Sequence, residues 1–149
     1  MLGRIMVCFL CNFRPRSVNA KGTAKFKKKI VDSFKYYYPE NNIFYEEAIY
    51  GISYYFHKRK TDLDADNLSK PIWDALSSVI YNNDKIIKLR YSGVYDINNL
   101  ITEFDLTKIP KNVYIDFLDY IEKYEHIVYI ELGKLNNELY IMGGENYEL

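Results

Sequence analysis

Between residues 61 and 80 the apolar pattern changes period, and that change constrains the fold more than any other feature of the chain. Asp62, Asp64 and Asp66 alternate with Leu63 and Ala65. In an extended segment a period of two puts the three carboxylates on one face and the apolar pair on the other. From Asn67 the period is helical: Leu68, Ile72, Ala75, Leu76 and Val79 stand at i, i+4, i+7, i+8 and i+11, the stripe of a helix with one buried face. Asp66 or Asn67 suits the N-cap, and Pro71 lies near enough to the start to be tolerated. Asp66, Lys70 and Asp74, four apart, share a second stripe. The pattern predicts a helix over 67–80 that presents carboxylates at its N-terminus, with Lys70 on the same side and Asp84 shortly after the helix.

Such a group has a chemistry of its own. Carboxylate oxygens hold a hard divalent cation without saturating it, leaving positions for water and a phosphate. A lysine supplies a point charge where negative charge builds on phosphoryl oxygens. Residue by residue, simpler accounts compete. Most aspartates cap turns or face solvent, and Asp66 with Lys70 makes an ordinary surface pair worth about 0.3–0.5 kcal/mol. A calcium loop is excluded in detail, because Asn67 stands where the turn glycine belongs and Trp73 where the bidentate glutamate belongs.

The combination as a whole resembles the signature of RusA-type Holliday junction resolvases. That family's pattern runs D-x-D-N-x-x-K-x-x-x-D-A-L, then an aromatic residue, then D-D-x-Q-I. Here it is carried by Asp64, Asp66, Asn67, Lys70, Asp74, Ala75, Leu76, Tyr81 and Asp84. Arg14-Pro15-Arg16-Ser17-Val18-Asn19 and the lysine-rich segment after it are also similar to the family's N-terminal region, so the likeness covers roughly residues 4–95. Three departures stand out. The acidic pair is Asn83-Asp84 with the spacing before it one residue short, Ile86 replaces the usual glutamine, and the chain runs on past the usual end of the domain. The resemblance implies a homodimeric, Mg²⁺-dependent endonuclease for branched DNA, with Mn²⁺ as a possible substitute. It also implies Asp64, Asp66 and Asp84 as metal ligands and Lys70 as the catalytic lysine. A rival expectation, resting on Asn83 and the acidic end of the chain, is a DNA-binding protein that has lost cleavage and docks a protein partner through that end.

Charge supports a polyanionic partner. Residues 1–92 carry 16 Lys/Arg against 9 Asp/Glu, whereas residues 93–149 carry 4 against 11. Arg14, Arg16, Lys21, Lys25 and Lys28 form one basic cluster with their neighbours, and Lys58, Arg59 and Lys60 lead directly into the carboxylates. These eight are the expected DNA-binding residues, since phosphate contacts dominate nucleic-acid affinity. Some of Lys27, Lys28 and Lys29 must simply be solvated, because they point in different directions around a helix. The 16 tyrosines are spread through the chain, so their mixing with lysine is not read as a base-stacking signal.

The remaining expectations are architectural. The 149 residues suit a single domain, 1–149, with a helix-hairpin extension from about residue 96. The mixture of elements without a strict βαβ rhythm predicts an α+β fold with a mixed sheet. The predicted elements are a strand over 3–13, helix 22–38, a long strand or hairpin through 43–58, helix 67–80 and strand 85–95. Helix 111–124 follows, then strands 126–132 and 138–142 joined by a turn at 134–137. Cys8 and Cys11 form a lone C-x-x-C inside the first strand, so their side chains face opposite ways and are expected to be free, buried thiols in a reducing cytoplasm. No apolar run reaches membrane-spanning length, and the short run 5–13 reads as a strand rather than a leader.

Overall fold

The computed structural model describes residues 6–40, 42–100, 102–135 and 142. Its strands are β1 (Met6–Cys11), β2 (Ile49–His57), β3 (Ile87–Asp96) and β4 (His126–Lys134), and its α-helices are α1 (Thr23–Tyr37), α2 (Ala65–Leu76) and α3 (Lys111–Lys123). The strands form one sheet in the order β1-β4-β2-β3. β4 runs antiparallel to both β1 and β2, and β3 runs parallel to β2. The fold is α+β with a mixed sheet, as the pattern of elements predicts.

Period two in the strands explains the layers. On β4, Val128, Ile130 and Leu132 face one side and Ile127 and Tyr129 the other, and all five are buried. The first side is covered by α1 and α2, through Phe26, Ile30 and Phe34 and through Leu68, Ile72, Trp73 and Leu76. The second side is covered by α3, through Val113 and Phe117, with Phe104 and Leu106 packed alongside. Each large apolar side chain taken out of water in this way contributes about 1.5–3 kcal/mol. Gly51 on β2 lets the Trp73 ring lie directly on the sheet, since a Cβ there would come 2.9 Å from that ring. Cys8 falls among the α3-side residues and Cys11 among the α1/α2-side residues, both free and buried, as the alternation predicts.

Several boundaries differ from expectation for identifiable reasons. The segment expected as a strand or hairpin over 43–58 is a strand only from Ile49; before it, the Tyr45 N–H donates to the Ile80 carbonyl (2.8 Å) and ties the incoming loop to the end of the α2 region. α2 stops at Leu76 rather than 80 because Ser78 takes a left-handed φ of 67°. Val79 and Ile80 still bury against the same core, so the apolar stripe outlasts the helix. β4 extends to Lys134, two residues past the expected strand end at 132, and the strand expected over 138–142 lies, Met142 apart, outside the described residues. Among the described residues no helix is long and apolar enough to cross a membrane.

The position of β4 generates a test. Ending the chain after Asp105 removes α3 and β4, leaving β1 without its sheet neighbour and β2 without one of its two. The truncated chain is expected to be insoluble or to lack a cooperative thermal transition by circular dichroism; a soluble truncation with a sharp melt would contradict this.

Candidate active site

The start of α2 is fixed from both sides. Asp64 is the N-cap, its Oδ1 accepting the Asn67 N–H at 2.8 Å, so the helix begins two residues earlier than the predicted Asn67. The Ala65 carbonyl accepts the Ser92 hydroxyl of β3 at 2.6 Å, and Ser53 of β2 donates to Ser92 at 3.2 Å. Three residues from three elements thereby lock the helix N-terminus against the parallel β2–β3 pair. Asp66 sits in the first helical turn rather than in an extended segment, and Asp62, Asp64 and Asp66 are all exposed. Among the described residues the Asp66 carboxylate has no hydrogen-bond or ion-pair partner, and it lies where the positive end of a helix favours anions.

One turn further on, the Lys70 ammonium lies 2.8 Å from Asp74 Oδ1 and 3.3 Å from Asp84 Oδ2. Hydrogen bonding to Asp74 and then to Asp84 raises the ammonium above the usual lysine range. Asp84 opens a short 3-10 turn, Asp84–Ile86, capped by the Asn83 side chain, which accepts the Lys85 N–H at 2.9 Å. Arg90 of β3 donates to the Asp84 carbonyl at 2.9 Å and stands 3.5 Å from its carboxylate. Asp84 is therefore flanked by two cations, with its side chain only 17% exposed.

A second group of charged residues lies at the end of β2 that leads toward Asp64. His57 closes β2 directly opposite His126 of β4. Its Nδ1 lies 2.7 Å from the Arg59 carbonyl; a carbonyl only accepts, so this nitrogen carries the proton. Arg59 pairs with Glu125 at 2.8 Å, and the Lys58 N–H donates to the Glu125 carbonyl at 3.0 Å. The Tyr55 hydroxyl meets His126 Nδ1 at 2.7 Å. Burial pushes Tyr55 up to about 12, opposed by the charges of Arg14 and Arg16. Burial, then Arg14, holds the His126 imidazolium below its ordinary range. Arg14, Arg16 and Arg59 therefore surround one end of the sheet, the end from which the 58–64 segment leads to Asp64. Lys21 and Lys60 are exposed, Lys25 lies 5.7 Å from the Phe13 ring centre, and Lys28 forms an exposed pair with Asp32 at 2.8 Å.

These residues supply carboxylate oxygen, an ammonium and guanidinium groups. The donor set suits a hard divalent cation such as Mg²⁺ or Mn²⁺, because every available ligand is an oxygen. Among the described residues no three His, Cys, Asp or Glu side chains converge closely enough to hold a metal ion. Lys70 brings Asp74 and Asp84 together, while no contact joins Asp64 or Asp66 to Asp84. Sequence reasoning did not find Arg90 or Ser92. Both stand on β3, and only their spatial contacts with Asp84 and Ala65 mark them.

The α+β domain sets exposed carboxylates, a lysine one turn on and arginines around one mixed sheet. The family model of endodeoxyribonuclease RusA matches residues 14–102, more than half of the 149 residues, and the chain belongs to that family. The match includes Asp64, Asp66, Lys70, Asp74, Asp84 and Arg90 and ends before α3, β4 and the Arg59 partner Glu125. No curated protein sequence matches the chain.

Asp64 and Asp66 differ in structural role, and stability separates them. Asp64→Ala removes the helix cap and is expected to cost about 1 kcal/mol, whereas Asp66→Ala, at an unpartnered carboxylate, should stay within about 0.5 kcal/mol of the parent. Urea unfolding of the two variants measures both; equal losses would argue against Asp64 as the cap.

Proposed function

We propose that the chain is a Mg²⁺-dependent, structure-specific endonuclease that cuts branched DNA such as four-way Holliday junctions, with Mn²⁺ able to substitute, and that it acts in the cytoplasm as a homodimer with one site for each of two strands. The observation that carries this reading is the Lys70 ammonium held between Asp74 and Asp84, one turn from the unpartnered Asp66, in a chain of the RusA endodeoxyribonuclease family. The family resemblance assigns a divalent cation to Asp64, Asp66 and Asp84, which do not converge in this structure; held there, it would supply polarisation of the scissile phosphate and a more acidic water.

The chain's own groups do the rest. Lys70, kept protonated by its two carboxylate neighbours, donates to a non-bridging phosphoryl oxygen as charge accumulates there. Asp74 orients that ammonium from the same helix face. Arg14, Arg16, Lys21, Lys25, Lys28, Lys58, Arg59 and Lys60 hold phosphates on either side of the cut. The acidic residues beyond 93 stay away from DNA, because opposing them to phosphates would weaken binding.

A second reading is a protein of the same fold that binds branched DNA without cutting it and uses its acidic part for a protein partner. Two observations favour it: Asp84 is already neutralised by Lys70 and Arg90, and Asn83 stands where the family has an acid. Cleavage of a four-way junction beside matched linear duplex, with and without Mg²⁺, decides between the two. Mg²⁺-dependent cutting of the junction alone is expected; binding without cutting at any metal concentration establishes the second reading.

Two substitutions test the roles within the site. Asp66→Asn keeps the side-chain shape and removes a charge, so it should abolish cleavage while junction binding stays equal or tightens; cutting at the parent rate with saturating Mg²⁺ would remove Asp66 from the mechanism. Lys70→Ala should lower the single-turnover rate by roughly 10²-fold or more with little change in DNA affinity, and Lys70→Arg should rescue poorly because a planar fork does not replace a compact ammonium. If Lys70→Ala weakens binding and leaves the rate unchanged, Lys70 is a phosphate anchor instead.

A further inference from the structure

On the sheet face turned away from α1 and α2, a cavity of about 180 Å³ opens beneath α3 and the 102–110 segment. Its walls are aromatic, with Tyr54, Phe56, Phe104, Phe117 and Tyr129 contributing. The rings brace one another edge to face: Phe56 lies 5.1 Å from Phe104 and 5.2 Å from Phe117, centre to centre. The only ionisable groups among these walls besides the tyrosines are the carboxylates of Asp105 and Glu131.

Glu131 is prepared in an unusual way. The Tyr129 hydroxyl donates to its Oε1 and the Tyr50 hydroxyl to its Oε2 at 2.6 Å. Both oxygens are fixed, yet the phenols bring no positive charge. Asp32, Asp74, Asp84, Asp119 and Glu125 each have a cation within ion-pair distance; among the described residues neither Glu131 nor Asp105 does. Asp105 is exposed, its Oδ1 accepts the Thr107 hydroxyl and N–H, and the charge of Lys108 acts on it, so Glu131 is the stronger of the two acids for a cation. A half-buried carboxylate among aromatic rings leaves the cavity electronegative, and a cation there gains from the rings and the carboxylate together.

We propose that this cavity binds the end of an organic cation, an alkylguanidinium or alkylammonium group. Its size is right for one, since a cavity of about 150 Å³ accommodates a benzene ring. A phosphate or nucleotide is disfavoured by the two carboxylates among the walls. The same chemistry is offered by an arginine or lysine side chain of a protein partner and by a free polyamine. The site lies on the opposite face of the sheet from α2 and does not depend on the nuclease reading.

The test is titration of the full chain, followed by NMR shift changes, with Nα-acetyl-arginine amide, with putrescine and with the neutral isostere Nα-acetyl-citrulline amide. The arginine compound, putrescine or both should bind saturably, with the citrulline compound at least about tenfold weaker; tighter binding by one cation identifies the source. Glu131→Gln should weaken cation binding by about tenfold and Asp105→Asn by a smaller factor, while Glu46→Gln, elsewhere on the surface, changes nothing. Tyr54→Leu keeps an apolar wall without a ring face, so it gives a second readout if Glu131→Gln unfolds, and it should lose the cation while sparing citrulline. Equal binding of arginine and citrulline, unchanged affinity in a folded Glu131→Gln, or no saturable binding would overturn the proposal.

Discussion

The structure depends on β4 being hydrogen-bonded on both edges. Met6 of β1 lies opposite Gly133 and His57 of β2 opposite His126, so β1 enters the sheet only through a strand from the far end of the chain. α1 and α2 then pack on a surface to which β1, β2 and β4 all contribute. Pairings this distant in sequence are entropically costly to close and slow to form. What offsets that cost is burial on two faces at once, since residues 127–130 of β4 are buried without interruption.

How much of this was legible in the sequence varied with the range of the interaction. The apolar stripe Leu68, Ile72 and Leu76 announced α2, and the alternation in the first strand assigned Cys8 and Cys11 to opposite faces, because both signals are local. The helix start was misjudged by two residues because three aspartates in alternation all suit a cap, and only the hydrogen bond from Asn67 distinguishes Asp64. The helix end was misjudged because Val79 and Ile80 bury as a helix would while Ser78 turns the backbone away. Strand order was not readable, since nothing near residues 126–134 names β1 and β2 as partners. In the site, the spacing paired Lys70 with Asp66 and the family resemblance brought in Asp84 as a metal ligand, whereas the contacts of Lys70 with Asp74 and Asp84 and of Arg90 with Asp84 follow from the path of the chain in space.

Linear charge asymmetry also acquires a different meaning in three dimensions. The acidic part of the chain is not a separate lobe, because its strand β4 lies between two strands of the basic part. α1 carries exposed Lys25, Lys28 and Lys29 on one side of the sheet, and on the other α3 carries Asp119 and Glu122 together with Lys111 and Lys123. The two faces meet where the Tyr37 hydroxyl of α1 donates to Asp116 of α3 at 2.5 Å, a contact that bridges the edge of the sheet at β1.

The two thiols of β1 give that edge a built-in reporter. Burial pushes the Cys8 thiol up to about 12 and raises Cys11 as well, so neither forms a reactive thiolate at neutral pH while β1 stays in place. Because Cys8 is sealed by the α3 layer and Cys11 by the α1 layer, alkylation at one and not the other tells which layer has lifted. Modification of both at one rate marks departure of the whole strand from β4. The edge strand thus carries two chemically silent positions that record which way the domain opens.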